Sequence, residues 1–193
     1  MKDLNSKKKK LTIDTTIIVV LVVVMVFVVF MLTYKSERHI YDSVIENDTS
    51  ALVCTSNNND SETMFFSSED ATSIEHKIKL VYNDNKIDKM SYELTGEYVS
   101  ESVAREAKGD FNTKYNIYIG DHDMNLNVLS PIFQYVDNKV RVGLYLDSFE
   151  KMNSAIGKLF YISSASLDSV SKSSENETKE YYEKKGFSCI IND

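Results

Sequence analysis

The residues of this chain with the most chemical potential are three histidines, two cysteines and one tripeptide that flanks an imidazole with carboxylates. Asp121-His122-Asp123 follows Gly120, and its donors can hold a divalent cation. A solvated loop explains the same three residues more simply, and no metal ligand is predicted. His76 sits on the apolar side of an alternating run, where a satisfied, half-buried histidine is the simpler reading. Cys54 and Cys189 lie near the two ends of a polar region, without C-x-x-C or zinc spacing. Outside a cell membrane such a pair is expected to form a disulfide. It would close a loop of about 135 residues, worth about 5 kcal/mol in the chain-entropy model before discounts for strain and residual unfolded structure.

Other chemistries lack their signatures. There is no G-x-S-x-G, no H-E-x-x-H, no Walker loop and no dinucleotide fingerprint. The six glycines, at 96, 109, 120, 143, 157 and 186, never cluster as a phosphate cradle needs. Carboxylates are so common that no acid–base couple stands out. The twelve tyrosines could build a face for stacking sugars or peptides, although strand alternation places most in a core. No catalytic residue and no cofactor are predicted.

What positions these residues begins with an apolar stretch. Residues 17–32 read IIVVLVVVMVFVVFML, sixteen apolar residues without charge, Gly or Pro. With two flanking residues on each side, residues 15–34 give about 30 Å of helix, enough to span a bilayer core. Lys2 and residues 7–10 place the basic flank before it, which predicts a cytoplasmic N-terminus and an extracellular C-terminal part. A cleaved signal peptide is the rival reading, but the apolar core is long and no small-residue cleavage site follows. Four segments result: a basic tail (1–14), a transmembrane helix (15–34), a stalk or linker (35–50) and an extracytoplasmic α+β domain (51–193).

Charge narrows the partners. Residues 35–193 carry 17 basic and 27 acidic residues, a net of −10, which repels nucleic acid. The expected partners are the membrane and an envelope protein or glycan. Asn47, Asn59 and Asn176 open glycosylation sequons, as an Asn-rich chain does by chance, and no glycan is predicted.

Within 51–193 the periodicities alternate between two and 3.6. Strands are predicted at 51–55, around 64–66, at 74–82 and at 87–98, the last two joined by a turn at 83–86. Ser100 or Ser102 caps a helix to about Tyr118, with Val103, Ala107, Phe111 and Tyr115 as its buried stripe and Gly120 as its stop. A second hairpin pairs 131–136 with 139–146 around Asp137-Asn138, its return strand internal. Phe149, Met152, Ile156 and Phe160 mark a short helical turn. Ser174-x-x-Glu177 is a capping box opening a helix to Lys185, Gly186 closes it, and 187–191 is a last strand holding Cys189.

Two features go beyond element boundaries. The pattern Y-x-D-N-K-[IV]-x4-Y occurs at Tyr82 and again at Tyr135, which allows two hairpin–helix units, though turn chemistry alone can repeat Asp-Asn-Lys. In the first hairpin, matching apolar faces pairs Leu80 with Met90, Ile78 with Tyr92 and His76 with Leu94. That register is expected to need a three-residue loop, Asp84-Asn85-Lys86, with Lys86 left-handed and Tyr82 not opposite Ile87.

The strand Leu52-Val53-Cys54-Thr55, the hairpin from Lys79 to Ile87, the Tyr145-Leu146-Asp147 hairpin and the ending Lys184-Lys185-Gly186-Phe187 resemble the YehR-like family of small bacterial envelope lipoproteins. The resemblance implies an α+β envelope domain of unknown activity, with no catalytic residue to carry over. This chain departs from it by having a transmembrane anchor in place of a lipidated cysteine. The fold expected is an N-terminal transmembrane helix followed by an antiparallel sheet with helices on one face. The function expected is a membrane-tethered binding or structural module of the envelope. The alternative is an envelope hydrolase without a recognisable motif.

Overall fold

Period-two runs of apolar residues become six strands in the computed structural model, which describes residues 51–124 and 128–192 together with Val20 and residues 22–26. The strands are β1 (Ala51–Ser56), β2 (Ala71–Asn83), β3 (Lys86–Tyr98), β4 (Leu129–Val136), β5 (Lys139–Leu146) and β6 (Ser188–Asn192). They form one sheet in the order β4-β5-β3-β2-β1-β6, antiparallel throughout. Four helices join them: α1 (Glu101–Asp121), α2 (Ser154–Leu159), α3 (Leu167–Lys172) and α4 (Glu175–Glu183). Residues 48–193 make one compact unit. The predicted tail, stalk and most of the transmembrane segment lie outside the described residues; Val20 and residues 22–26 are helical. Among the described residues no helix is long and apolar enough to cross a membrane.

One face of the sheet builds the core. Leu52, Cys54, Ile78, Leu80, Met90, Tyr92, Leu94, Val142 and Leu144 are buried there. Phe111 and Tyr115 of α1, Leu159 of α2, Val170 of α3 and Tyr182 of α4 join the same cluster. The opposite face carries a row that crosses all six strands: Ser130, Tyr145, Ser91, Lys79, Val53 and Ile190. Lys79 and Ser91 are buried at the middle of that row. Cys54 pairs with Cys189 across β1 and β6, and the two are bonded.

The first hairpin has the predicted pairs but reaches them differently. Leu80 faces Met90, Ile78 faces Tyr92 and His76 faces Leu94. Tyr82 nevertheless faces Ile87, and the turn is only two residues, Asp84 (φ 51) and Asn85 (φ 60), both left-handed as a type I′ turn requires. The one-residue shift comes from a bulge: Asp88 has no opposite number between the Tyr82–Ile87 and Val81–Lys89 pairs. The expected three-residue loop is therefore wrong, and Lys86 is a strand residue opposite Asn83.

Two further expectations are corrected. Residues 64–66 are not a strand. Met64 and Phe66 are buried from within a loop whose own bonds hold it: Asn59 Nδ2 donates to the Ser68 carbonyl (2.6 Å) and Ser68 N–H donates to Asn59 Oδ1 (3.0 Å). Helix α1 starts after Ser100 as predicted but runs through Gly120 to Asp121, and Asp123 (φ 48) turns the chain. The second hairpin shares the two-residue turn of the first, and the short helical turn expected after it is present, as a 3-10 turn at Phe149–Lys151 and α2; α3, however, was not predicted.

Candidate functional site

The ends of two helices contribute residues to one cleft, where backbone turns, rings and charges come together. Helix α4 opens with the predicted capping box on Ser174 and Glu177. It ends in a left-handed turn: Gly186 (φ 87) donates its N–H to the Glu183 carbonyl, and Phe187 donates to the Tyr182 carbonyl. Helix α2 ends with the same pair of bonds. Tyr161 N–H donates to the Lys158 carbonyl and Ile162 N–H to the Gly157 carbonyl, with Tyr161 at φ 60. The left-handed position normally takes glycine because a Cβ there costs about 1 kcal/mol or more. A tyrosine in it is held by what its side chain does.

That side chain is buried. The Tyr161 ring lies 5.7 Å from the Phe187 ring and 5.7 Å from the Tyr92 ring. Its hydroxyl donates to Tyr92 Oη (3.3 Å), and Tyr92 Oη lies 2.8 Å from His76 Nδ1. If this chain of donors ends on Nδ1, the His76 proton rests on Nε2, which has no hydrogen-bond partner. Burial lowers the His76 pKa to about 4, against a smaller upward pull from the Asn58 backbone. Burial pushes the Tyr161 hydroxyl up. The cluster is thus neutral and carries no ready proton acceptor to the surface.

Above Tyr161 opens a cleft of about 510 Å³. Lys158 and Lys185 stand on it, one from each helix end, with Asn58, Met64, Ser164 and Phe187. Lys158 lies over the Tyr118 ring (5.6 Å) and Lys185 over the Tyr181 ring (5.1 Å). Tyr118 and Tyr181 also bind backbone: Tyr118 Oη donates to the Ala155 carbonyl (2.9 Å) and Tyr181 Oη to the Tyr161 carbonyl (3.1 Å). The arrangement offers two ammonium groups, hydroxyls and an apolar floor, which suits holding a ligand.

The residues singled out from sequence fall elsewhere or behind this cleft. Cys54 and Cys189 are bonded to each other inside the sheet. His76 is fully buried behind Tyr161. His122 turns back on α1: its Nδ1–H donates to the Tyr118 carbonyl (2.9 Å). Among the described residues no three His, Cys, Asp or Glu side chains converge as metal donors, and His39 lies outside them. Sequence reasoning missed Lys158, Tyr161 and Lys185. Gly186 announces its turn by residue type, whereas Tyr161 hides an identical turn behind an aromatic side chain.

No family model and no curated protein matches the chain. Two solved structures are similar to it. One is the NMR structure of a protein from Streptococcus pneumoniae TIGR4: 10% identity, TM-score 0.42, covering 75% of this chain and 87% of that one. The other is the NMR structure of the E. coli YehR protein: 16% identity, TM-score 0.41, covering 75% of this chain and 93% of that one.

Proposed function

We propose that the chain is a single-pass membrane protein whose residues 51–193 are an extracytoplasmic binding module of the cell envelope, with the cleft over Tyr161 as its ligand site. The observation that carries this is Tyr161 itself. A non-glycine residue kept in the left-handed region, with its ring flooring an open cleft, is the kind of strain that collects where ligands are held. The apolar run at 17–32 and the lysines before it support the anchor and its orientation. The Cys54–Cys189 bond supports an oxidising compartment.

An envelope hydrolase is the second reading, and one observation favours it: the shifted histidine behind the cleft. Its geometry works against it. His76 is fully buried, and its Nδ1 is occupied by the Tyr92 and Tyr161 hydroxyls.

Two measurements test the proposal. Protease added to intact protoplasts should remove residues 51–193 and spare the tail; protection of the domain contradicts the topology. The detergent-solubilised chain should retain an envelope component that Ser164→Trp, which puts a large ring into the cleft, no longer retains. Equal retention by both forms contradicts the site.

A further inference from the structure

Two lysines, Lys158 and Lys185, line this cleft. A third, Lys114, stands with Lys158 at a neighbouring depression of about 370 Å³, beside Glu62 and Asp121. None of the three has a carboxylate within ion-pair distance among the described residues. Each rests over a ring instead, Lys114 over Phe65 at 5.2 Å. Burial lowers the Lys114 pKa, and the charge of Lys158 lowers it further, so two like charges are held close together. In a chain with 29 acidic residues and a net charge of −7, such a grouping runs against the overall charge.

The helix ends do not account for it. Basic residues do offset the carbonyl ends of helices. However, the Gly157, Lys158, Tyr182 and Glu183 carbonyls already accept backbone N–H groups, and Lys114 sits in the middle of α1. In the cleft itself, Lys158 and Lys185 are accompanied by neutral polar side chains and no carboxylate. Asn58, Ser154 and Ser164 line the same cleft, over the rings of Tyr161 and Phe187.

We propose that the cleft binds a small ligand bearing an oxyanion, a phosphate or a carboxylate, on a hydroxyl-rich body of about monosaccharide size. The oxyanion sits at Lys158 and Lys185, the two lysines that line the cleft. The body lies over Tyr161 and Phe187 with its hydroxyls toward Asn58, Ser154 and Ser164. Lysine ammonium groups suit this task as point charges that pair with oxyanions by charge-assisted hydrogen bonds. The inference names the ligand class of the binding site proposed above and rests on that reading.

The test uses the full chain in detergent micelles with isotopically labelled lysines, in about 150 mM salt, so that loose counterions are screened beyond about 8 Å. The probes are inorganic phosphate, glucose 6-phosphate, glucuronate and glucose. Glucose 6-phosphate or glucuronate should shift the Lys158 and Lys185 side-chain signals saturably and more tightly than inorganic phosphate, and glucose should not shift them. The tighter of the two names the oxyanion. Lys158→Gln should weaken binding about tenfold, a loss typical of one charge-assisted bond. Lys172→Gln, at a residue paired with Asp168, should leave it unchanged. Shifts by glucose equal to those of the anions would overturn the oxyanion while leaving a binding cleft. No saturable shift with any anion would also overturn it, and the envelope-extract comparison of the chain with Ser164→Trp then decides whether the binding module falls too.

Discussion

Tyr161 stands at the end of α2 as Gly186 stands at the end of α4. Each is the left-handed residue of its turn, at φ 60 and φ 87, and each turn closes with the same two backbone bonds. The residues after them, Ile162 and Phe187, line the same cleft. One turn is relaxed by having no Cβ. The other tolerates one because its ring and hydroxyl are buried against Phe187, Tyr92 and His76.

The two positions should therefore answer oppositely to a change in side-chain size. Gly186→Ala has open space around its Cβ, so its cost is backbone strain alone, about 1 kcal/mol. Tyr161→Gly relieves a strain of that size but empties a buried aromatic site, and should destabilise by about 2–4 kcal/mol net. Urea unfolding of a fragment spanning residues 48–193 measures both. Stabilisation by Tyr161→Gly would mean that the ring contributes little to the fold.

The first hairpin gives a sign test. Asn85 is left-handed in a two-residue turn, so Asn85→Gly should stabilise by up to about 1 kcal/mol. Lys86 is in the strand, so Lys86→Gly should destabilise by about 0.5–1 kcal/mol. A three-residue loop predicts stabilisation by Lys86→Gly instead, and the same unfolding measurement separates the two.

That hairpin also shows what could be read from sequence. Face matching found its pairs because a one-residue slip would turn Ile78 and Leu80 to water, a cost too large to miss. It assigned the wrong loop because a bulge at Asp88 and an odd loop shift the register equally, and nothing in residue type tells them apart. The capping box, the Gly186 turn and the Cys54–Cys189 pairing were legible because each rests on a residue with one dominant chemistry. The segment around Met64 was not: two buried apolar side chains look like a strand, while the fold holds them through a clasp between Asn59 and Ser68. The cleft was invisible for a related reason. Lys158, Tyr161 and Lys185 are common residues at unremarkable spacing, and only the meeting of two helix ends puts them together.

Burial of His76 makes stability depend on pH. Its folded pKa is about 4 and its ordinary value is 6.5, so the neutral form belongs to the fold. Above pH 6.5 both states are neutral and nothing is lost. As the pH falls from 6.5 toward 4, the unfolded chain takes up a proton that the folded chain does not, and stability drops by roughly 3 kcal/mol at most. His76→Gln removes this slope while leaving the carboxylates in place. Urea midpoints of the 48–193 fragment at pH 7.5 and 4.5 should therefore fall further for the parent than for the variant; parallel falls would contradict a neutral buried His76.

The disulfide gives a redox prediction. Cys54 is fully buried and Cys189 nearly so, in adjacent strands 135 residues apart in sequence. Replacing both with alanine should destabilise the domain by up to about 5 kcal/mol, the loop-closure limit. Mass spectrometry of the protein isolated from intact cells should show the bond; two free thiols there would contradict the compartment proposed for this domain.

The most direct test of the cleft as the binding site is an amide map. An isotopically labelled fragment spanning residues 48–193 would be titrated with fractionated envelope extract, and its backbone signals followed. Shifts concentrated at Asn58, Thr63, Tyr161, Ile162 and Phe187 are the predicted result. Shifts confined to Val53, Ser91 and Tyr145 on the opposite sheet face, with the cleft silent, would contradict it.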